Sequence, residues 1–182
     1  MKKEGGNQAR KDWMRIPLNV FAVIILLLIA AIALQVFFSL FDINPIASFE
    51  TSLPFIGKAI TLNSLLDLQW HFLCIVGLLP AAIVWFKDAH VRVDFFYNHQ
   101  SSQRKNIIEL LGHLIFSIPF FIMAVPAAWQ FMMSAYRSGQ GSGNDGLNDL
   151  FLVKATLPVG LGLLGIVLLW DFYIRLRTFW SK

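Results

Sequence analysis

Four groups of residues in this chain have types and spacings from which chemistry could be built. Gly160-Leu-Gly-Leu-Leu-Gly165 matches G-x-G-x-x-G, the pattern that cradles a dinucleotide pyrophosphate. His71 and His113 each interrupt an otherwise apolar run, as axial haem ligands do in membrane redox proteins. Asp67 and His71 stand four apart, with Gln69 and Trp70 between them, so a helix would place the carboxylate and the imidazole on one face. The run Lys87-Asp88-Ala-His90-Val-Arg92-Val-Asp94 alternates charge with small apolar residues before it reaches Phe95, Phe96 and Tyr97. No Ser/His/Asp set, Cys/His pair, P-loop or mid-span carboxylate pair accompanies these groups, and His and carboxylates do not cluster at metal-ligand spacing.

What must position these residues is a set of membrane-spanning helices. The chain has 182 residues, 57 % of them hydrophobic and 14 % charged, with a mean hydropathy of +0.62. A soluble domain carries about a quarter charged residues. A hydrocarbon core of roughly 30 Å needs about 20 apolar residues as helix, and four stretches meet that requirement, at about 16–41, 66–86, 106–136 and 150–174. In the last, Lys154 is expected to snorkel to the interface. Lipid offers no partner to backbone polar groups and no stretch shows the dyad alternation of a barrel strand, so the expected fold is an all-α integral membrane protein, one small membrane domain over residues 1–182. The first apolar run is too long for a signal-peptide core and is read as a retained helix, with Pro17 in its first turn. Cys74 is the single cysteine, which excludes an internal disulfide.

Basic residues set the orientation. Lys2, Lys3, Arg10, Lys11, Arg15, Lys87, Arg92, Arg104, Lys105, Arg175, Arg177 and Lys182 fall on one side of the four spans, and Lys58, Arg137 and Lys154 on the other. That asymmetry places both termini and the central loop in the cytoplasm. Trp13, Trp70, Trp85, Trp129, Trp170 and Trp180 all lie near span ends, where amphipathic rings prefer to sit. Residues 42–66 carry too many apolar side chains for a solvated loop, so an additional interfacial helical segment is expected there, interrupted by Pro45 and Pro54. Residues 1–15 are expected along the inner surface, with Arg10, Lys11 and Arg15 toward lipid headgroups. Ser138–Gly146 reads as a flexible outer connection. A net charge of +4 spread in this way points to membrane lipids and not to nucleic acid.

Set into these spans, the sharper chemistries recede. The glycine pattern lies inside an apolar span just after Pro158, with no strand before it; close helix packing on small residues accounts for it, and nucleotide binding is rejected. His71 and His113 would differ in depth by roughly 10 Å at 1.5 Å per residue, a poor geometry for two ligands of one haem. A haem-bearing anchor of a respiratory redox enzyme remains the alternative reading, and no cofactor is expected. Asp67, Gln69, Trp70, His71, His90, Arg92, Asp94 and Lys154 are the expected subunit-contact or membrane-interface residues. With no charge near the midplane and no internal inverted repeat, the bundle reads as an accessory or scaffold subunit.

Several of these motifs together resemble the small membrane subunit of tripartite ATP-independent periplasmic (TRAP) transporters. They are Asp67-Leu-Gln-Trp-His71, His90-Val-Arg-Val-Asp-Phe-Phe-Tyr97, Glu109-Leu-Leu-Gly112, Pro119 and Lys154-Ala-Thr-Leu-Pro158-Val-Gly160. The resemblance covers about residues 16–175. It departs from the family where Gly-Leu-Pro and then Trp are common and this chain has Gly146-Leu-Asn-Asp-Leu-Phe151. The resemblance implies a multi-pass protein of a bacterial inner membrane, partnered by a large membrane subunit and a periplasmic substrate-binding protein. The large subunit would move solute by a sodium-coupled elevator motion, and this chain would scaffold it without catalysing a reaction.

Overall fold

The computed structural model describes residues 2–87, 89–90, 99–142 and 146–180, with side chains from residue 17 onward. The chain runs as α1 (Lys2–Leu40), a hairpin of β1 (Ala47–Leu53) and β2 (Gly57–Ile60), α2 (Leu62–Leu78), α3 (Ala81–Phe86), α4 (Ser102–Gly112), a π-helical turn (His113–Ser117), α5 (Ile118–Arg137) and α6 (Phe151–Trp180). Four stretches are long and apolar enough to cross a membrane: Pro17–Leu40, Leu62–Phe86, Ser102–Arg137 and Phe151–Trp180. Four helical spans are therefore present, as expected from the sequence, the second and third each built from more than one helical segment.

Two expectations are corrected. Pro17 does not stand in a first turn, because α1 begins at Lys2 and passes through it. A proline costs a helix one backbone hydrogen bond, but its fixed φ is compatible with the αR backbone on both sides. Residues 2–16 accordingly extend α1 instead of forming a separate surface segment. The outer segment is also not helical. Ala47 pairs with Ile60 and Ser48 with Ala59 in an antiparallel ladder, and Leu53 pairs with Gly57 at the tip. Ala47 and Phe49 are half-buried while Ser48 and Glu50 are exposed, the alternation of a strand with one covered face. Pro54 leads into the turn, and Gly57 leaves it with φ +81°, a backbone state that glycine adopts without strain.

Prolines interrupt the second and third spans in different ways, while α6 runs unbroken through Pro158. Leu79 and Pro80 keep αR angles between α2 and α3, so the direction of the span continues while the missing proline N–H breaks the ladder. In the third span the response is wider. The Ile118 N–H reaches back five residues to the His113 carbonyl, and Pro119 follows directly. A π turn absorbs one extra residue, which relieves the crowding that a proline imposes on the carbonyl four positions before it. At the start of α2, Thr61 and Ser64 form a reciprocal cap: Thr61 Oγ1 accepts from the Ser64 N–H at 3.1 Å, and Ser64 Oγ accepts from the Thr61 N–H at 3.2 Å.

α6 is the centre of the bundle and packs against α2, α3, α4, the π turn and α5, while α1 packs on α2. Most of the buried apolar positions are small: Ala31, Ala82, Ala128 and Ala135, with Pro158, Gly160 and Gly165 on α6, where Leu168 is buried as well. Large apolar residues point outward, among them Leu26 at 65 % exposed and Met123 at 75 %. This inversion of a soluble core suits lipid, where helices gain by bringing backbones close on small residues. A Cβ at Gly160 would stand 3.1 Å from the Leu78 carbonyl oxygen, whereas one at Gly162 would meet nothing within 4 Å.

The contrast gives a paired prediction. Gly160→Ala should lower thermal stability in detergent by about 1–3 kcal/mol, as overpacking does. Gly162→Ala should be neutral or stabilising by up to about 1 kcal/mol. Melting midpoints of the two variants, measured side by side by size-exclusion survival after heating, check both.

Candidate assembly site: two polar nodes on an apolar bundle

Polar side chains gather in two nodes, one at each end of the bundle. At the end that carries the hairpin, Asp67 occupies the second turn of α2 and its Oδ2 accepts the Leu147 N–H at 3.0 Å. The adjacent Gly146 is buried, and a Cβ there would stand 1.9 Å from that same oxygen. Only a glycine lets the loop backbone come this close. The loop then clasps the hairpin, because the Asn148 N–H donates to the Phe55 carbonyl at 2.8 Å. Phe55 has φ +68°, a strained state for a bulky residue, and this clasp is one of the contacts that hold it. His71 Nδ1 donates to the Asp67 backbone carbonyl, so the histidine turns back on its own helix and leaves the carboxylate to the loop.

The other expected residues at this end separate by role. Gln69 Nε2 donates to the Ala31 carbonyl at 3.4 Å, where α1 and α2 touch. Trp70 is 61 % exposed and faces outward from the bundle. Lys154 Nζ donates to Gln140 Oε1 at 2.6 Å and lies 4.2 Å from the centre of the Phe131 ring. It joins α5, the following loop and α6, with cation–π attraction adding to the hydrogen bond. The connection expected to be flexible is thus tied at several described points, including Ser142 N–H to Leu147 O at 2.9 Å and Leu150 N–H to Gln140 O at 2.9 Å.

At the opposite end a node appears that the sequence reading did not assemble. Asp171 Oδ2 accepts from Arg175 Nε at 2.7 Å and from His113 Nε2 at 3.1 Å. His113, the first residue of the π turn, is 3 % exposed. Trp85 and Phe172 stand edge-on to its ring at centroid distances of 5.9 and 6.2 Å. His90 also meets Trp85, its ring tilted by 54° at a centroid distance of 5.4 Å, and its Nε2 lies 3.4 Å from the Ala81 carbonyl. Asn106 Nδ2 donates to the Arg175 carbonyl at 3.3 Å, closing α4 on α6. Arg92 and Asp94, expected at this end, lie outside the described residues, as does Asp88. Among the described residues no group of three or more His, Cys, Asp or Glu could hold a metal.

Two signals could have located Asp171. It stands four residues before Arg175, the spacing of a helical ion pair, and it falls inside a span, where an ionisable group needs a protein or water partner. What the sequence could not supply was the third member, since His113 is 58 residues away. The arrangement binds helices together, and the described bonds of His71 and His113 go to protein groups.

Removing the Asp171 carboxylate should leave a buried imidazole N–H without its acceptor, at a cost of about 1–3 kcal/mol. We expect Asp171→Ala to destabilise more than Asp171→Asn, and Asp171→Ala with His113→Ala to cost less than the sum of the two. Gly146→Ala should be deleterious in the parent chain and cost less once Asp67→Ala has removed the nearest clashing oxygen, with Ser142 Oγ, 2.6 Å from the added Cβ, accounting for what cost remains. Thermal melts of the single and double variants read these couplings, and strict additivity would contradict both nodes.

The family model described as "Tripartite ATP-independent periplasmic transporters, DctQ component" matches residues 56–178, which include α2 through most of α6 and both nodes. No curated protein matches the chain.

Proposed function

From the premise that this chain belongs to the DctQ component family of tripartite ATP-independent periplasmic transporters, and is a multi-pass membrane protein of that system, we propose that it is the stationary, non-catalytic scaffold of a sodium-coupled solute importer. Its partners on this reading are a large elevator-type membrane subunit, a periplasmic substrate-binding protein and the surrounding lipids of a bacterial inner membrane. The observation that carries the reading is the distribution of charge. No Asp, Glu, Lys or Arg occurs at 16–41, 68–86, 110–136 or 155–170, and the described ionisable nodes lie toward the two ends of the bundle. A carrier needs polar groups near the midplane to hold its solute or coupling ion. A support needs rigid helices, tied loops and an apolar exterior on which a larger subunit can rest.

The same reading assigns orientation and contacts. Both termini face the cytoplasm, because Lys87, Arg104, Lys105, Arg175 and Arg177 collect at the end opposite the hairpin. The hairpin and its clasp then face the periplasm. Asp67, Gln69, His71 and Lys154 hold that outer end in shape, Trp70 meets lipid or the large subunit, and His90, Arg92 and Asp94 serve the cytoplasmic rim.

Two measurements test this proposal. Affinity purification of the tagged chain in mild detergent should recover a much larger membrane protein in fixed ratio. An isolated chain that moved solute into liposomes by itself would overturn the scaffold role. For orientation, single cysteines at Lys58 and Arg177 in a Cys74→Ala background should react differently with a membrane-impermeant maleimide. Intact spheroplasts should label only the first, and labelling of the second would reverse the assignment.

A further inference from the structure

The seam between the third and fourth spans holds two adjacent spaces, one of mixed polarity and one almost wholly apolar. One, of about 460 Å³, opens between the start of α4 and the end of α6. Its lining includes Ser102, Gln103, Lys105, Asn106, Arg175 and Thr178, all with N–H or O–H donors, beside Ile107 and Phe179, and among the described residues no carboxylate lines it. It lies beside the first turn of α4, where Ser101 caps the Arg104 N–H and the helix presents its positive end. The second, of about 440 Å³, is a groove between the π turn with α5 and the middle of α6, lined by Phe121, Val125, Gly162, Gly165 and Phe172, with His113 at one end. Asp171 joins them, since its Oδ2 accepts from Arg175 of the first space and from His113 of the second.

We propose that this seam binds one anionic glycerophospholipid, with its phosphate in the donor-lined space and one acyl chain along the groove. The dimensions support that occupant. From Gly162 to Phe172 α6 rises about 15 Å, half of a hydrocarbon core of roughly 30 Å and so the depth of one leaflet. Arg175 follows one turn later, at the level where headgroups begin. The groove floor is open at Gly162, where a Cβ would meet nothing within 4 Å. Arg175 is already anchored through its Nε on Asp171, so it is positioned before a ligand arrives. The basic charge selects an anionic headgroup over a zwitterionic one, and the apolar groove selects a lipid over a soluble phosphate. This inference requires only that the helices span a bilayer and is independent of the scaffold role.

The test uses the full chain in phosphatidylcholine nanodiscs doped with a photoreactive lipid bearing a diazirine on one acyl chain. Phosphatidylglycerol and phosphatidylcholine versions are compared, and labelled peptides are mapped by mass spectrometry. The expected result is labelling of 118–125 and 162–172 that is several-fold greater with the phosphatidylglycerol version. Lys105→Glu should reduce it about tenfold, Lys105→Arg should retain it, and Gly162→Leu should abolish groove labelling by filling the open floor. Excess inorganic phosphate should leave labelling unchanged. Equal labelling by both lipids, or loss of labelling in phosphate, would overturn the proposal. So would a co-purified large subunit that crosslinks to these same segments in place of lipid. If Lys105→Glu does not fold, the contrast between the two lipids in the parent chain decides the matter.

Discussion

A bilayer removes the force that assembles soluble proteins, since a leucine on this chain loses nothing by facing an acyl chain instead of another leucine. Helices in that solvent stay together only where contact offers more than lipid does. In this chain that means backbones approaching on small residues, as where Gly160 of α6 meets the Leu78 carbonyl, and polar groups with a partner only inside the protein, as at Asp171. Both devices converge on α6, which packs against the second and third spans. Among the described side chains, α1 meets α2 at Ala31, whose carbonyl accepts from the amide of Gln69.

The two nodes differ in what they fix. At the hairpin end, Asp67 organises backbone: it takes a loop N–H and leaves room only for glycine beside it, and the loop in turn holds a strained hairpin tip. At the other end, Asp171 organises side chains from separate helices around one oxygen. The first sets the shape of a surface outside the spans. The second sets how three helices meet within them. Together they leave the stretch between free of ionic groups, which is what allows a larger partner or lipid to pack there without a desolvation cost.

How much of this was legible depends on whether the signal was local. Four spans could be read because each is built on a long apolar run, the fourth extended past Lys154 by letting that side chain reach the interface, and the tryptophans marked their ends. Asp67 and Lys154 were singled out as contact residues, but the partner that Asp67 takes within the chain is a backbone N–H eighty positions away, which no side-chain pattern encodes. Asp171 was passed over because its helical partner lies at the span boundary and its second partner on another helix. The hairpin was missed for a different reason. Ile46, Phe49, Phe55 and Ile56 were weighed as apolar load for a membrane surface, when the Pro54-to-Gly57 spacing already held the turn and the alternation about it held the strands.

The π turn at His113 has one more consequence. One additional residue in a helix retards its winding by roughly a quarter turn, since 3.6 residues complete a turn. The stripe that α4 presents to α6 is therefore out of phase with the stripe that α5 presents. A single long helix thus behaves as two gears on one shaft, set at different angles. The half below the offset can keep Asn106 against Arg175 while the half above keeps Phe121 against Gly165. Without that offset, one of these two contacts would have to be surrendered for the other.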